Sequence, residues 1–261
     1  MEITEELRKY LRCKKGNVEE MKKFLEDHQS HSQFYQSFFE DACRQGHVES
    51  LKYLLKNKRE EIDVNRARIG YGSATPFYLA CQHGHLEIVK LLLSLKYFKV
   101  NLNKANYKNQ TPFYIACYGG HMEIVKLLLS LKDERIDISQ PNDDGKTPFW
   151  IACHNGRLGV VKLLLSDPRI DVNQPSDDGR TPLWIAYDRK HYEIMQCILA
   201  SGKEVNLDVQ DNNKGKTIID IAMKEQSYGI VRMLNSFLTN PNKTRFNLRI
   251  QLGLTGNTLF I

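Results

Sequence analysis

The sequence predicts an all-α fold built as a stack of repeated two-helix units, and three observations predict it. First, one nineteen-residue phrase recurs nearly unchanged: TPFYLACQHGHLEIVKLLL at Thr75–Leu93, TPFYIACYGGHMEIVKLLL at Thr111–Leu129 and TPFWIACHNGRLGVVKLLL at Thr147–Leu165. Second, the slot of its central Gly continues along the chain. Gly46, Gly84, Gly120 and Gly156 are 38, 36 and 36 residues apart, Gly16 precedes by 30, and Lys190 and Gln226 follow at 34 and 36. Third, each phrase carries two apolar segments of helical period, each about two turns long and unable to stand alone in water. Each must bury its apolar face on a neighbour, and repetition supplies that neighbour.

The elements follow in order. Residues 1–36, with EELRKYLRCKKGNVEEMKKFLEDHQS, lack a Thr-Pro opening and are strongly polar, as a capping repeat must be on its outer side. Residues 37–214 are the central repeats. Thr75, Thr111, Thr147 and Thr181 are N-cap residues, and the Pro after each suits the first helical position. In the unit from Thr111, small Ala116 and Cys117 fall where backbones must approach, and Gly120 allows a tight reversal. Glu123 then favours the start of the second helix, and Ile124, Val125, Leu127, Leu128 and Leu129 form its apolar face. QPNDDGKTP at Gln140–Pro148 is a loop of turn formers. Residues 215–238 are a C-terminal capping repeat, with Asp220, Met223 and no Gly at the turn. In the tail, residues 239–261, Phe246, Leu248, Ile250, Leu252 and Leu254 alternate as in a strand, while Phe246, Ile250 and Leu254 suit a helix face. A short amphipathic helix or arm covering the last repeat is expected there.

These residues resemble the ankyrin repeat across roughly residues 5–238, in the Thr-Pro opening, the Ala pair, the Gly-His turn and the Ile-Val-x-x-Leu-Leu helix. The resemblance implies an ankyrin solenoid of stacked antiparallel helix pairs with projecting loops, and protein binding through loop tips and inner helices. It is specific, because many positions recur in register. Two features depart from it. Units of 34–38 residues exceed the usual ~33, with the extra residues after the second helix, and the His of the opening motif is replaced by Tyr78, Tyr114, Trp150 and Trp184. Ankyrin loops with a Val-Asn pair can also be hydroxylated on Asn, which makes Asn65 and Asn173 candidates by resemblance.

Composition narrows the function. The chain has 261 residues, 41% hydrophobic and 26% charged, so a packed core is within reach and general disorder is not expected. The opening residues carry no apolar h-region, and the longest apolar stretches are interrupted by Lys, so a soluble, cytoplasmic chain is expected, with the nucleus as an alternative. Net charge is +6. The first hundred residues hold 17 Lys/Arg against 14 Asp/Glu, residues 101–238 hold 17 of each, and the tail adds Lys243, Arg245 and Arg249. A nucleic-acid binder concentrates positive charge on one face, and this chain does not. No phosphate loop, nucleophile elbow or paired-His motif appears, so no enzyme active site is expected. Cys13, Cys43, Cys81, Cys117 and Cys153 share one slot. Equivalent positions in packed helices lie too far apart for a disulfide, which makes them reduced core residues. His47, His85, His121 and His191 share another slot and point in parallel, which does not build a metal centre. No metal and no cofactor is expected.

The expected function is that of an adaptor, scaffold or inhibitor: a monomer binding another protein. Its contact residues are those that vary while the frame repeats: Gln82, His83, Tyr118, His154, Asn155, Asp188 and Arg189 before the turn, and Tyr107, Lys108, Asp143, Asp144, Asp177 and Asp178 at the loop tips. The ladder Tyr78, Tyr114, Trp150, Trp184 reads either as space-filling between units or as a row of exposed anchors. A nucleic-acid role for the basic tail, or a regulatory role for an enzyme on another chain, are the alternatives.

Overall fold

Each clear unit begins on a threonine. In the computed structural model, which describes residues 18–27, 33–67, 72–131, 136–212 and 215–254, the hydroxyls of Thr75, Thr111, Thr147, Thr181 and Thr217 accept the backbone N–H three residues on, at 3.0–3.2 Å. Thr217 adds a capping box with Asp220. Thr147→Ala is expected to cost about 1 kcal/mol, read as a lower midpoint in urea unfolding.

The described residues are helical and fall into two compact units. The first holds α1 (Val18–Asp27), α2 (Gln33–Gln45), α3 (Val48–Asn57), α4 (Pro76–Gln82), α5 (Leu86–Leu93) and α6 (Pro112–Gly119). Within it α2, α4 and α6 pack in succession, and so do α1, α3 and α5. The second holds α7 (Met122–Ser130), α8 (Pro148–His154), α9 (Leu158–Leu165), α10 (Pro182–Asp188), α11 (Tyr192–Ala200), α12 (Ile218–Lys224), α13 (Tyr228–Thr239) and α14 (Pro241–Gln251). There α8 packs on α10, and α9 lies between α7 and α11. The expected boundary at 36/37 falls inside α2. That helix runs for 13 residues and has no Thr-Pro opening to mark its start in sequence. The first part of the N-terminal cap, with Cys13 and Gly16, lies outside the described residues.

Small residues set how closely first helices approach. Ala80, Ala116, Ala152, Ala186 and Ala222 are fully buried, and so are Cys43, Cys81, Cys117 and Cys153. These thiols and Cys197 are free. Burial pushes all of them up, Cys197 to about 11, so they stay protonated and unreactive.

In five units the turn between paired helices closes by the same bond. The carbonyls of Ala42, Ala80, Ala152, Ala186 and Ala222 accept the N–H five residues on, at 2.8–3.0 Å. This bond needs a left-handed residue just before its donor. Gly46, Gly84 and Gly156 supply it, and so do Lys190 and Gln226 at φ 61° and 58°. Glycine has a second reason here. A Cβ on Gly156 would stand 2.7 Å from the His191 ring, and one on Gly46 would stand 2.7 Å from the His85 ring. Each ring reaches back over the preceding unit's turn and donates Nε2–H to a carbonyl: His85 to Arg44 at 2.9 Å, His191 to His154 at 3.2 Å. Histidine in this slot therefore staples one repeat to the previous one. Where the turn residue is Lys190, the following unit carries Ser227 in place of His.

The loops after the second helices repeat a different bond. Asp63, Asn101, Asp137, Asp171 and Asn206 each accept, through a side-chain oxygen, the N–H two residues on, at 2.8–3.0 Å. Between these partners, Val64, Leu102, Ile138, Val172 and Leu207 are buried.

The tail forms the expected helix, turned so that Phe246 and Ile250 face out. They are 63% and 54% exposed, while Thr244 and Leu248 are buried against the fold. α14 packs on α13 and α11. Arg249 Nε donates to Ala200 O at 2.9 Å and Arg245 Nη2 to Lys203 O at 3.0 Å, so two tail cations cap the C-terminal end of α11. This contact reaches across more than forty residues and fixes which helix face turns in. Arg249→Ala is expected to cost about 2 kcal/mol, seen as a lower melting temperature, and Arg249→Lys is expected to recover only part of it.

Candidate functional site

The residues that vary between units stand at two places on each repeat. The first is the end of the first helix. In the first compact unit Gln82, His83 and Tyr118 are exposed there, and His83 stacks on His85 at 6.0 Å. In the second unit Asp188 and Arg189 are exposed, and His154 and Asn155 are half-buried. His154 lies flat on Trp150, with centroids 5.3 Å apart and planes 18° apart, and its Nδ1 meets Asn155 Oδ1 at 2.7 Å. Partial burial, offset by the Asn155 bond and supported by nearby Arg189 and Lys146, holds its pKa below the usual imidazole value. At neutral pH His154 therefore presents an uncharged ring fixed from beneath.

The second place is the loop tip. Asn106 and Asn142 fold their tips: Asn106 Oδ1 accepts from Lys108 and Gln110, and Asn142 Oδ1 from Asp144 and Lys146. Left-handed Asn109, Gly145 and Gly179 complete the reversals. Neighbouring tips then join through the backbone. Tyr107 N–H donates to Gly72 O in the first unit; Asp177 N–H donates to Asp144 O and Asn212 N–H to Asp178 O in the second, at 2.9–3.0 Å. Within each unit the tips are thus bonded to one another, and Tyr107, Asp143 and Asp177 point outward.

Charges along this edge are uneven. Asp144 pairs with Lys146 at 3.0 Å and Asp178 with Arg180 at 3.2 Å. Asp143 and Asp177 are exposed and, among the described residues, their carboxylates accept no bond. In the first unit Tyr107 stands out with the Lys108 ammonium 5.6 Å from its ring.

The aromatic ladder lies inside. Tyr78, Tyr114, Trp150 and Trp184 are 1–3% exposed. Trp150 Nε1 donates to Arg180 O at 2.7 Å, and Tyr78 OH accepts from Asn106 Nδ2 at 3.0 Å. Rings at this burial offer no face to a partner. Tyr78 and Trp150 thereby tie their first helix to the tip of the next repeat. This arrangement is the space-filling one, since a large ring between units must be covered on both sides.

Asn65 and Asn173 also work between repeats. Asn65 Nδ2 donates to Lys99 O and its Oδ1 accepts from Asn101 N–H, at 2.8 and 2.7 Å. Asn173 does the same with Glu204 O and Asn206 N–H, at 2.9 Å each. Each carboxamide clasps the next loop. Asn101 and Asn206, which also follow Val, occupy the Asp63 and Asp171 slot instead.

Tyr192 and Tyr228, which are not among the residues expected from sequence, are exposed at the first position of α11 and α13. The signal was present: Leu86 and Leu158 hold the same slot in other units. Among the described residues no helix is long and apolar enough to cross a membrane.

No curated protein matches the chain. A family model described as ankyrin repeats matches it in three copies, at residues 10–104, 79–176 and 168–245. Ankyrin repeats are in general protein–protein interaction modules and typically not enzymes. With its stacked, Thr-capped helix pairs and bonded loop tips, the chain belongs to the ankyrin-repeat family and is an all-α ankyrin solenoid.

Proposed function

We propose that the chain is an adaptor, scaffold or inhibitor that binds another protein through its pre-turn residues and loop tips. One contrast carries this reading: the slots that repeat are buried, while the slots that vary are exposed or half-buried. Ala152 and Cys153 are fully buried, and Asp188 and Arg189 in the varying slots are exposed. A position without packing duty is free to be chosen for a partner. The frame holds these side chains in place beforehand, so little ordering entropy is lost on binding. In the second unit the surface offers a neutral imidazole on a fixed indole, an amide, a guanidinium and two unpaired carboxylates at the tips. A partner with apolar and basic features fits it.

Affinity capture from lysate of the native cell tests this reading, with wild type beside the His154→Ala, Asn155→Ala, Arg189→Glu variant. A protein enriched on wild type and reduced at least tenfold on an equally stable variant is the expected result. Equal recovery on both baits refutes this surface.

A further inference from the structure

The clasp made by Asn65 and Asn173 is missing at one repeat. Ser139 occupies that slot between Asp137 and the next loop, and its short side chain makes no bond across. The two backbone groups that would receive an Asn there are known from the sister loops. They are the N–H of Asp171, which corresponds to Asn101 and Asn206, and the C=O of Arg169, which corresponds to Lys99 and Glu204. Among the described residues neither is hydrogen-bonded. A cleft of about 200 Å³ opens at this place, with Ser139, Thr147, Asp171 and Gln174 as its polar lining and Ile138, Pro141, Phe149 and Ile170 as its apolar lining. A cavity of roughly 150 Å³ lined by such side chains holds a benzene ring, so this cleft has room for an apolar stem and a polar head.

We propose that this cleft takes a primary carboxamide on an apolar stem, namely a Gln or Asn side chain presented by a partner protein. Its oxygen accepts the Asp171 N–H and its NH₂ donates to the Arg169 C=O, as Asn65 and Asn173 do within the chain. A carboxylate is rejected. It has no proton for the Arg169 carbonyl, and Asp171, which lines the cleft, adds a like charge. The inference rests on the reading of the chain as a partner-binding frame, but uses a site separate from the pre-turn residues and tips.

Benzamide serves as the probe and benzoate, which keeps the ring and loses the donor, as its control. Both are titrated against the full ¹⁵N-labelled chain while the amide resonances of Ser139 and Asp171 are followed. Benzamide is expected to shift both saturably, benzoate to leave them in place, and Ser139→Asn to weaken benzamide at least tenfold by filling the site from within. The same variant is expected to melt no lower than wild type, since it restores a bond present in two sister loops. An unshifted Asp171 amide, an equal response to benzoate, unchanged affinity in Ser139→Asn or a lowered melting temperature would each overturn the proposal. If benzamide fails while the pre-turn variant still loses its captured protein, the interaction surface stands and the carboxamide site falls.

Discussion

Gly156→Ala is expected to cost about 3 kcal/mol, and His191→Ser in the same chain is expected to leave the total no larger. Two costs meet at Gly156. Its φ of +67° lies in the left-handed region, where an L side chain loses roughly 1–2 kcal/mol. Its Cβ would also stand 2.7 Å from His191 Cε1, so the ring must move and its bond to His154 O is broken, at about 1 kcal/mol. His191→Ser alone forfeits that same bond. The two changes therefore share one loss, and a double-mutant cycle should show a coupling of about 1 kcal/mol. The chain contains its own precedent in Lys190 and Ser227. Strict additivity would show that the ring over the glycine does not join the repeats.

Trp150→Ala is expected to cost about 4 kcal/mol, within the range for truncating a buried aromatic residue. Trp150→Phe separates packing from hydrogen bonding. It keeps most of the buried ring, removes the donor to Arg180 O at 2.7 Å, and is expected to cost 1–2 kcal/mol. Both variants are measured by chemical unfolding and, once a partner is in hand, by titration. A frame residue lowers stability and alters affinity only through the platform under His154. If Trp150→Phe kept full stability but lost partner affinity, Trp150 would be a contact residue and the ladder would have to be redrawn.

Much of the fold was legible because its determinants are local and repeat in register. Thr111 caps α6 through an N–H three residues away, and Gly156 closes a turn with residues inside one phrase. The unread parts depend on distant partners. The inward face of α14 is set by Arg245 and Arg249 reaching Lys203 and Ala200, so the helix face that Phe246 and Ile250 suit by spacing is not the buried one. Tyr and Trp in the opening motif left burial open, because either ring suits a core or an interface. The clasps of Asn65 and Asn173 link residues thirty or more positions apart. The cleft at Ser139 becomes visible only once that clasp is known, because it marks a bond that the Asn65 and Asn173 loops make.

The central claim is that the varying, exposed slots meet the partner while the repeated slots carry the frame. Hydrogen exchange on the chain, free and bound to its captured partner, tests it most directly. The account predicts slowed exchange at residues 154–156 and 188–190 and at the tips 143–145 and 177–179, with α9 and α11 unchanged. Protection confined to α9, α11 or α14 would contradict it and move the binding surface to another face of the repeats.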